Sequence, residues 1–339
     1  MRVRFVTVAE ANQRFGEMAL LWAWSIRRRG GMLADADVTV VFNEREDEAL
    51  SERLRRESNV DVRVMPRIST SHPERNKFNA FRIDGLEDDD WVILSDVDMC
   101  VCDHLDGLHA RLAEDDFDLG VTPAGIDPRP PLPLLRGLDK LLRQETGLTR
   151  AQLAEWEHPW FADHAPYSRW PYISGGLFVV RGRHVREFGD EILQQTKMMY
   201  EQMRTRQPNP WRVLRNFYNY RVHRLGRWSE PLIIGWWFMA RLADQVAIST
   251  AMIRMKLRPT YLDHTYNWRY MDSGQGEELP VRFLHYFGSM ARASHQDLLA
   301  GDWTDAYAAD DHPGRQALAD VTMAYRADPV TGGSARVEP

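Results

Sequence analysis

The sequence predicts an α/β fold built on a doubly wound, mostly parallel sheet with helical insertions. Three observations carry that expectation. Short β-rich runs alternate with amphipathic runs over about the first 120 residues, which is the pattern of successive βαβ units. The run Trp91-Val-Ile-Leu-Ser95 is apolar up to its last residue and bounded by the acidic turn Asp88-Asp89-Asp90, as a buried strand would be. Polar groups appear where such runs stop, at Ala9-Glu10 and at Asp96-Val97-Asp98. Ligands of open α/β sheets bind beyond the carboxyl ends of the strands.

Taken in order, Val3 to Val8 is the first strand, and it breaks at Ala9-Glu10-Ala11-Asn12. Gln13 to Arg29 is an amphipathic helix with Met18, Leu21, Trp22, Ser25 and Ile26 at helical spacing, closed by basic residues before Gly30-Gly31. Val38 to Phe42 is a second strand, Glu44 to Glu57 a charged helix and Val60 to Met65 a third strand. Arg75 to Ile83 reads as a helix that leads into the strand at Trp91. Beyond it, Asp118 to Thr122 is a short strand, and Asp127-Pro-Arg-Pro-Pro-Leu-Pro133 breaks the chain before a helical stretch to about Trp156. Gly175 and Gly176 precede a strand at Leu177 to Val180 and permit close backbone approach. Phe188 to Met203 is a helix, and Leu232 to Ala240 a buried helix running into Asp244-Gln245. Asp263 to Trp268 is a loop dense in hydrogen-bonding groups, and Val281 to Gly288 is a strand containing His285. These elements are expected to form a single domain over 1–325, with an insert at 127–165, a basic aromatic segment at 204–230 and a flexible tail at 326–339.

Composition narrows the function. Of 339 residues, 44% are hydrophobic and 27% charged, which describes a folded chain with ample core. A net charge of -6 argues against a nucleic-acid partner. The two cysteines, Cys100 and Cys102, would share one face of a strand and read as buried thiols of a reducing compartment. Met1-Arg-Val-Arg-Phe5 runs into a strand pattern with no apolar leader, and no stretch reaches the ~20 apolar residues of a membrane span. A cytoplasmic location is therefore expected. Between Gln202 and Ser229 stand seven arginines and no acidic residue, interleaved with aromatics. That segment is either a solvated helix face with its arginine stems on the core, or a contact for a membrane surface or an anionic acceptor.

Asp96-Val97-Asp98 is where chemistry is expected. On an extended chain residues i and i+2 point the same way, so both carboxylates would face one side and Val97 the other. Two carboxylates so close repel unless a cation or proton sits between them. A hard divalent ion sharing its shell with diphosphate oxygens suits the position, and two solvated carboxylates at a strand end are the competing reading.

The order of these motifs resembles the GT-A nucleotide-sugar glycosyltransferases, and within them the retaining group that includes glycogenin and bacterial lipopolysaccharide galactosyl- and glucosyltransferases (glycosyltransferase family eight). The resemblance runs over about residues 3 to 290, outside the insert and the basic segment. It rests on Val8-Ala9-Glu10 as the nucleoside-holding loop, Lys77 opening the helix before the metal strand, Asp96-Val97-Asp98 as the metal motif and Ser174-Gly175-Gly176 as a small turn before a strand. Asp244-Gln245, Leu262 to Asn267 and His285-Tyr-Phe-Gly288 follow in the family's order. One departure stands out. The family continues His-x-x-Gly-x-x-Lys, with lysine on the diphosphate, whereas this chain has Ala291 there and Arg292 one residue later. Either Arg292 replaces the charge with altered geometry, or the phosphate contacts differ.

The resemblance implies a metal-dependent, retaining hexosyltransferase of the GT-A fold. Asp96, Asp98 and His285 would hold Mn²⁺ or Mg²⁺, and Val8, Ala9, Glu10, Lys77, Asp96, Val97, Gly175, Gly176 and Arg292 would bind the nucleotide-sugar donor, a UDP-hexose. Asp244 and Gln245 would serve the transferred sugar, and the acceptor would be a glycan, a lipid-linked glycan or a small molecule. Residues 204–230 could bring the chain to the inner face of a membrane. Two other readings stay open. One is a non-catalytic nucleotide- or glycan-binding relative. The other, a sugar nucleotidyltransferase, is disfavoured because Ala9 to Asn12 lacks the glycine and lysine of a phosphate loop.

Overall fold

The structure, a computed structural model, describes residues 1–114, 116–123, 143, 147–154, 156, 173–205, 244–269, 280–286, 298–299, 303–310 and 312–332. Contacts divide the chain into two compact units, one of residues 1–122, 176–186 and 258–339, the other of 123–175 and 187–257.

The chain opens with β1 (Val3–Ala9), α1 (Gln13–Arg29), β2 (Asp37–Asn43), α2 (Glu48–Ser58), β3 (Asp61–Met65), a 3₁₀ helix at Pro73–Arg82, β4 (Trp91–Ser95), β5 (Met99–Val101), α3 (Asp106–Ala113) and β6 (Leu119–Pro123). Then come α4 (Arg150–Ala154), β7 (Ile173–Arg181), α5 (Gly182–Thr205) and a helix over 244–254, here α6. The order closes with β8 (Pro259–Tyr261), a 3₁₀ turn at His264–Asn267, β9 (Trp268–Arg269), β10 (Phe283–His285), α7 (Thr304–Ala308) and α8 (Pro313–Ala327). A seven-stranded sheet has the order β3-β2-β1-β4-β7-β6-β8, and a three-stranded sheet the order β5-β10-β9. β1 runs parallel to β2 and β4, β2 to β3, and β6 to β8, whereas β7 is antiparallel to β4. The expected α/β, mostly parallel sheet is present.

Local chemistry explains the best-defined elements. The Asn12 side chain caps α1 by accepting from the Phe15 amide at 3.1 Å, and Arg27, Arg28 and Arg29 close its last turn, where cations complement the helix dipole. Every residue of α1 from Met18 to Ile26 is buried, so the middle of this helix is covered all round and not on one face alone. From it the Trp22 indole N–H donates to Ser95 Oγ at 2.7 Å, which fixes the end of β4. The Thr7 hydroxyl donates to the Ser95 carbonyl at 2.8 Å from β1. Arg27 donates to the backbone carbonyls of Ala34, Ala36, Ser58 and Asn59, gathering the turns that lead into β2 and β3.

Several expectations are corrected. The helix expected at Arg75–Ile83 is 3₁₀ and starts at Pro73, with the Asn76 side chain accepting from the Ile68 and Ser69 amides. The second helix begins at Glu48, because Asp47 caps it through the Leu50 amide and Glu44 takes a left-handed φ of 66°. Asp96-Val97-Asp98 is not extended: β4 ends at Ser95, and residues 97 and 98 form a turn into β5, a strand of the second sheet. Ser174-Gly175-Gly176 is not a turn before a strand but lies inside β7. The tail expected to be flexible from 326 is helical through Gly332, with Asp328 accepting from the Trp24 indole and pairing with Arg28. The Pro-rich break, the stretch Leu232–Ala240, most of the segment 204–230, Gly288 and Arg292 lie outside the described residues.

Candidate metal centre

The turn that replaces the expected pleat brings both carboxylates to a histidine remote in sequence. β5 and β10 form an antiparallel ladder in which Met99 faces His285 and Cys100 faces Leu284. The ladder continues past its last pair, as the Tyr286 amide donates to the Asp98 carbonyl at 3.1 Å. His285 is therefore held one position along the ladder from Asp98, whose own cross-strand neighbour is Tyr286. Its Nε2 lies 3.3 Å from Asp98 Oδ1 and 3.8 Å from Asp96 Oδ2. Among the described residues these three are the group whose ligand atoms all fall within 4.8 Å of one another.

Each member is positioned by a separate element. The Asp96 amide donates to the Gly176 carbonyl of β7 at 2.9 Å. Val97, between the two acids, is 5% exposed and packs into the core, so the turn presents its flanking carboxylates outward. Lys77, on the 3₁₀ helix, brings its ammonium to 3.9 Å from Asp96 Oδ1. Gly176 leaves room for the imidazole: a β-carbon there would stand 2.7 Å from His285 Nδ1.

The donor set is two carboxylate oxygens and one imidazole nitrogen. Ligand atoms about 2.1 Å from an ion and at right angles would be about 3 Å apart; His285 Nε2 stands 3.3 and 3.8 Å from the two carboxylates, so a small inward shift of the side chains would bring them onto one ion. The set fits a divalent ion of the Mg²⁺ or Mn²⁺ kind. Burial by itself would raise the Asp98 carboxyl. The neighbouring imidazole, its hydrogen bond, a backbone hydrogen bond and Lys77 outweigh that and hold Asp98 below the usual carboxylate range. Asp98 is thus ready to ligate as an anion.

Because β1 and β4 are parallel neighbours, Val8, Ala9 and Glu10 lie at the same edge of the sheet as Asp96. Glu10 is tied down there by Asn43 Nδ2, which donates to its Oε1 at 3.1 Å, and by an ion pair with Arg67. Asn79 Nδ2 donates to Asn43 Oδ1 at 2.9 Å and to the Pro66 carbonyl at 3.0 Å. Sequence reasoning missed Asn43, Arg67 and Asn79. For Asn43 the signal existed: like Glu10, it is the polar residue that ends an apolar strand.

The structure thus brings together Lys77, Asp96, Asp98, Gly176 and His285, and puts Glu10 at the same edge of the sheet. Asp244 and Gln245 are the first described residues of α6, in the second unit, where the Gln245 carbonyl accepts from the Ser249 hydroxyl at 3.1 Å. Gly175 belongs to β7.

No protein-family model and no curated protein sequence matches the chain. Among solved structures it is similar to the galactosyltransferase LgtC, determined in complex with donor and acceptor sugar analogs. The TM-score is 0.49 at 12% identity, with 97% of this chain and 98% of that one covered.

Among the described residues no helix is long and apolar enough to cross a membrane.

Proposed function

We propose that this chain is a metal-dependent glycosyltransferase of the GT-A fold, which moves a hexose from a nucleoside-diphosphate sugar, a UDP-hexose, to an acceptor hydroxyl. One observation carries the reading: Asp96, Asp98 and His285 converge at the carboxyl edge of the parallel strands beside the ammonium of Lys77. That is the place and the donor set for a cation bound together with a diphosphate.

Asp96, Asp98 and His285 would hold Mn²⁺ or Mg²⁺. When bound, the ion supplies Lewis-acid neutralisation of the charge that develops on the leaving nucleoside diphosphate. Lys77 adds a second positive charge to the same leaving group. Val8, Ala9 and Glu10 edge the nucleoside, with Glu10 braced by Asn43 and Arg67. In the transfer, the bond from the anomeric carbon to the phosphate oxygen breaks and its electron pair leaves with the diphosphate. The acceptor oxygen bonds to the same carbon from the same face, and its proton passes to the departing phosphate oxygen. On the resemblance, Asp244 is assigned to the donor sugar's hydroxyls and Gln245 to the neighbourhood of the anomeric carbon. A glutamine amide is a poor nucleophile, which favours front-face attack over a covalent intermediate. Arg292 is assigned to the diphosphate.

The test is release of nucleoside diphosphate from a panel of nucleotide sugars, with and without Mn²⁺, together with thermal shift by the free nucleotides. A ligand that binds only the native state raises its stability with the logarithm of its excess over Kd. Metal-dependent release from a uridine donor is expected. Folded protein that neither binds nor turns over any member of the panel would sink the proposal.

A further inference from the structure

A cavity remote from the metal centre opens at the amino edge of β1, β2 and β3. It has a volume of about 380 Å³ and is lined mainly by polar and charged residues, among them Arg2, Arg4, Asp37, Thr39, Asp61 and Arg63. The metal centre lies toward the carboxyl edge of the same sheet, more than about 10 Å further along β1. Strand alternation explains the lining. Val38, Val40 and Phe42 point into the core shared with α1 and α2, so Asp37 and Thr39 face the other way. Parallel pairing sets Arg4 beside Asp37 and Thr39 beside Asp61, and Arg63 follows Asp61 on the same face. Parallel strands are normally covered on both faces and apolar on both, whereas this face is charged at its amino end. One side is closed by residues 84 and 85: Arg4 donates to the carbonyls of Asp84 at 3.0 Å and Gly85 at 3.3 Å, and Arg63 pairs with Asp84. Thr39, which lines the cavity, is only 1% exposed, yet its hydroxyl makes no hydrogen bond among the described residues. A buried polar group without a protein partner calls for one.

We propose that this cavity is a second ligand site and that it takes a neutral saccharide. Its arginines, Arg27 included, stand against three carboxylates, Asp35, Asp37 and Asp61, so neither a free anion nor a free cation matches the wall. A guanidinium only donates hydrogen bonds and a carboxylate only accepts them. A hydroxyl does both, so a ring of hydroxyls suits a wall on which donors and acceptors alternate. These groups have capacity to spare. Arg2 spends Nε on Asp37 Oδ2, while Arg63 spends Nε on Asp61 Oδ2 and Nη1 on Asp84. Oδ1 of both aspartates, both Nη groups of Arg2 and Nη2 of Arg63 are left to meet a ligand, and the Thr39 hydroxyl can donate or accept. The volume stands at the small end of ligand sites, which run about 300–1,000 Å³, as a mono- or disaccharide requires. The site goes beyond the transfer proposed above and does not depend on it.

The experiment is amide NMR of the full chain, with EDTA and without nucleotide. It is titrated with glucose, galactose, N-acetylglucosamine, maltose and lactose, and separately with glycine and with inorganic phosphate. A saccharide of this panel should shift the amides of residues 37–39 and 61–63. Thr39→Val should weaken that binding about three- to tenfold, as the loss of one neutral hydrogen bond does, and Asp61→Ala about tenfold or more. Asp61 is exposed, so its variant carries the test if Thr39→Val does not fold. His285→Gln should leave the binding unchanged. Absence of these shifts with every saccharide, shifts confined to the metal centre, or a response to glycine or phosphate in their place overturns the site. Protein that turns over nucleotide sugars yet shows none of these shifts overturns the site and leaves the transferase reading intact.

Discussion

Gly176 and His285 approach so closely that a β-carbon on the glycine would lie 2.7 Å from Nδ1 and 2.8 Å from Cε1 of the imidazole. Nothing shorter than an ordinary carbon contact can persist there, so one partner must give way. Gly176 also holds Asp96 through its carbonyl, which makes the backbone the stiffer partner. Gly176→Ala should therefore displace the ring and lower Mn²⁺ affinity about tenfold or more, with the fold retained by circular dichroism. Calorimetric titration decides, and an unchanged affinity would show that the ring tolerates the methyl group.

Removing a ligand should act on turnover much more than on folding. Asp98→Ala deletes a carboxylate held anionic by its surroundings, and donor cleavage should fall at least about 100-fold. Chelation of the wild type should silence it, and added Mn²⁺ should restore it, while added metal should not rescue the variant. Nucleoside diphosphate release reports both.

Ser95→Ala tests how the carboxylate turn is anchored. It leaves the buried Trp22 indole N–H without its acceptor, and an unsatisfied buried donor costs about 1–3 kcal/mol. Urea denaturation should show a loss of that size. Because Asp96 follows directly, metal affinity should fall as well.

A pH effect is expected at Asp118. The hydrogen bonds from Arg258 come first among its influences; burial opposes them, and Arg183 adds to them, so its carboxyl is held well below the usual range. A carboxyl depressed in the folded state binds protons more weakly there than in the unfolded chain. Its contribution is complete above the unfolded value of about 4 and is lost as pH falls through that value toward the folded one. Asp118→Asn should cost about 2 kcal/mol at neutral pH and should flatten the decline of stability below about pH 4. Denaturant melts at several pH values measure both.

Much of the fold is written locally. α1 runs from Gln13 to Arg29 as its sequence implies, because its signals, a capping asparagine and a basic last turn before glycine, lie within the helix and its flanks. The apolar runs at β1, β2 and β4 are similarly self-declaring. What failed depended on distant partners. β5 has three residues and pairs with β10, so the short run Met99-Cys-Val101 did not announce itself as a separate strand of a second sheet. The resemblance implied a small turn at Ser174-Gly175-Gly176, whereas these residues lie inside β7 and Gly176 serves a ring more than a hundred residues further along. The candidate metal ligands were legible as residue types in sequence order, yet the geometry that unites them is a turn and not a pleat. Asn267 was visible as the last residue of the Leu262 to Asn267 motif and as one of several polar groups in a loop, but nothing nearby in sequence says that it meets a histidine.

The ladder between β5 and β10 also sets a timetable. A ribosome delivers Asp96 and Asp98 long before His285, so the third ligand arrives after the strands of β1 to β4 have emerged and can already pair. A cation at the proposed site would therefore not template that early sheet; its binding energy would act on the closed chain and lock a late, long-range contact. Metal starvation in a cell should accordingly leave the amino-terminal strands protected from hydrogen exchange and loosen the small sheet that carries the histidine.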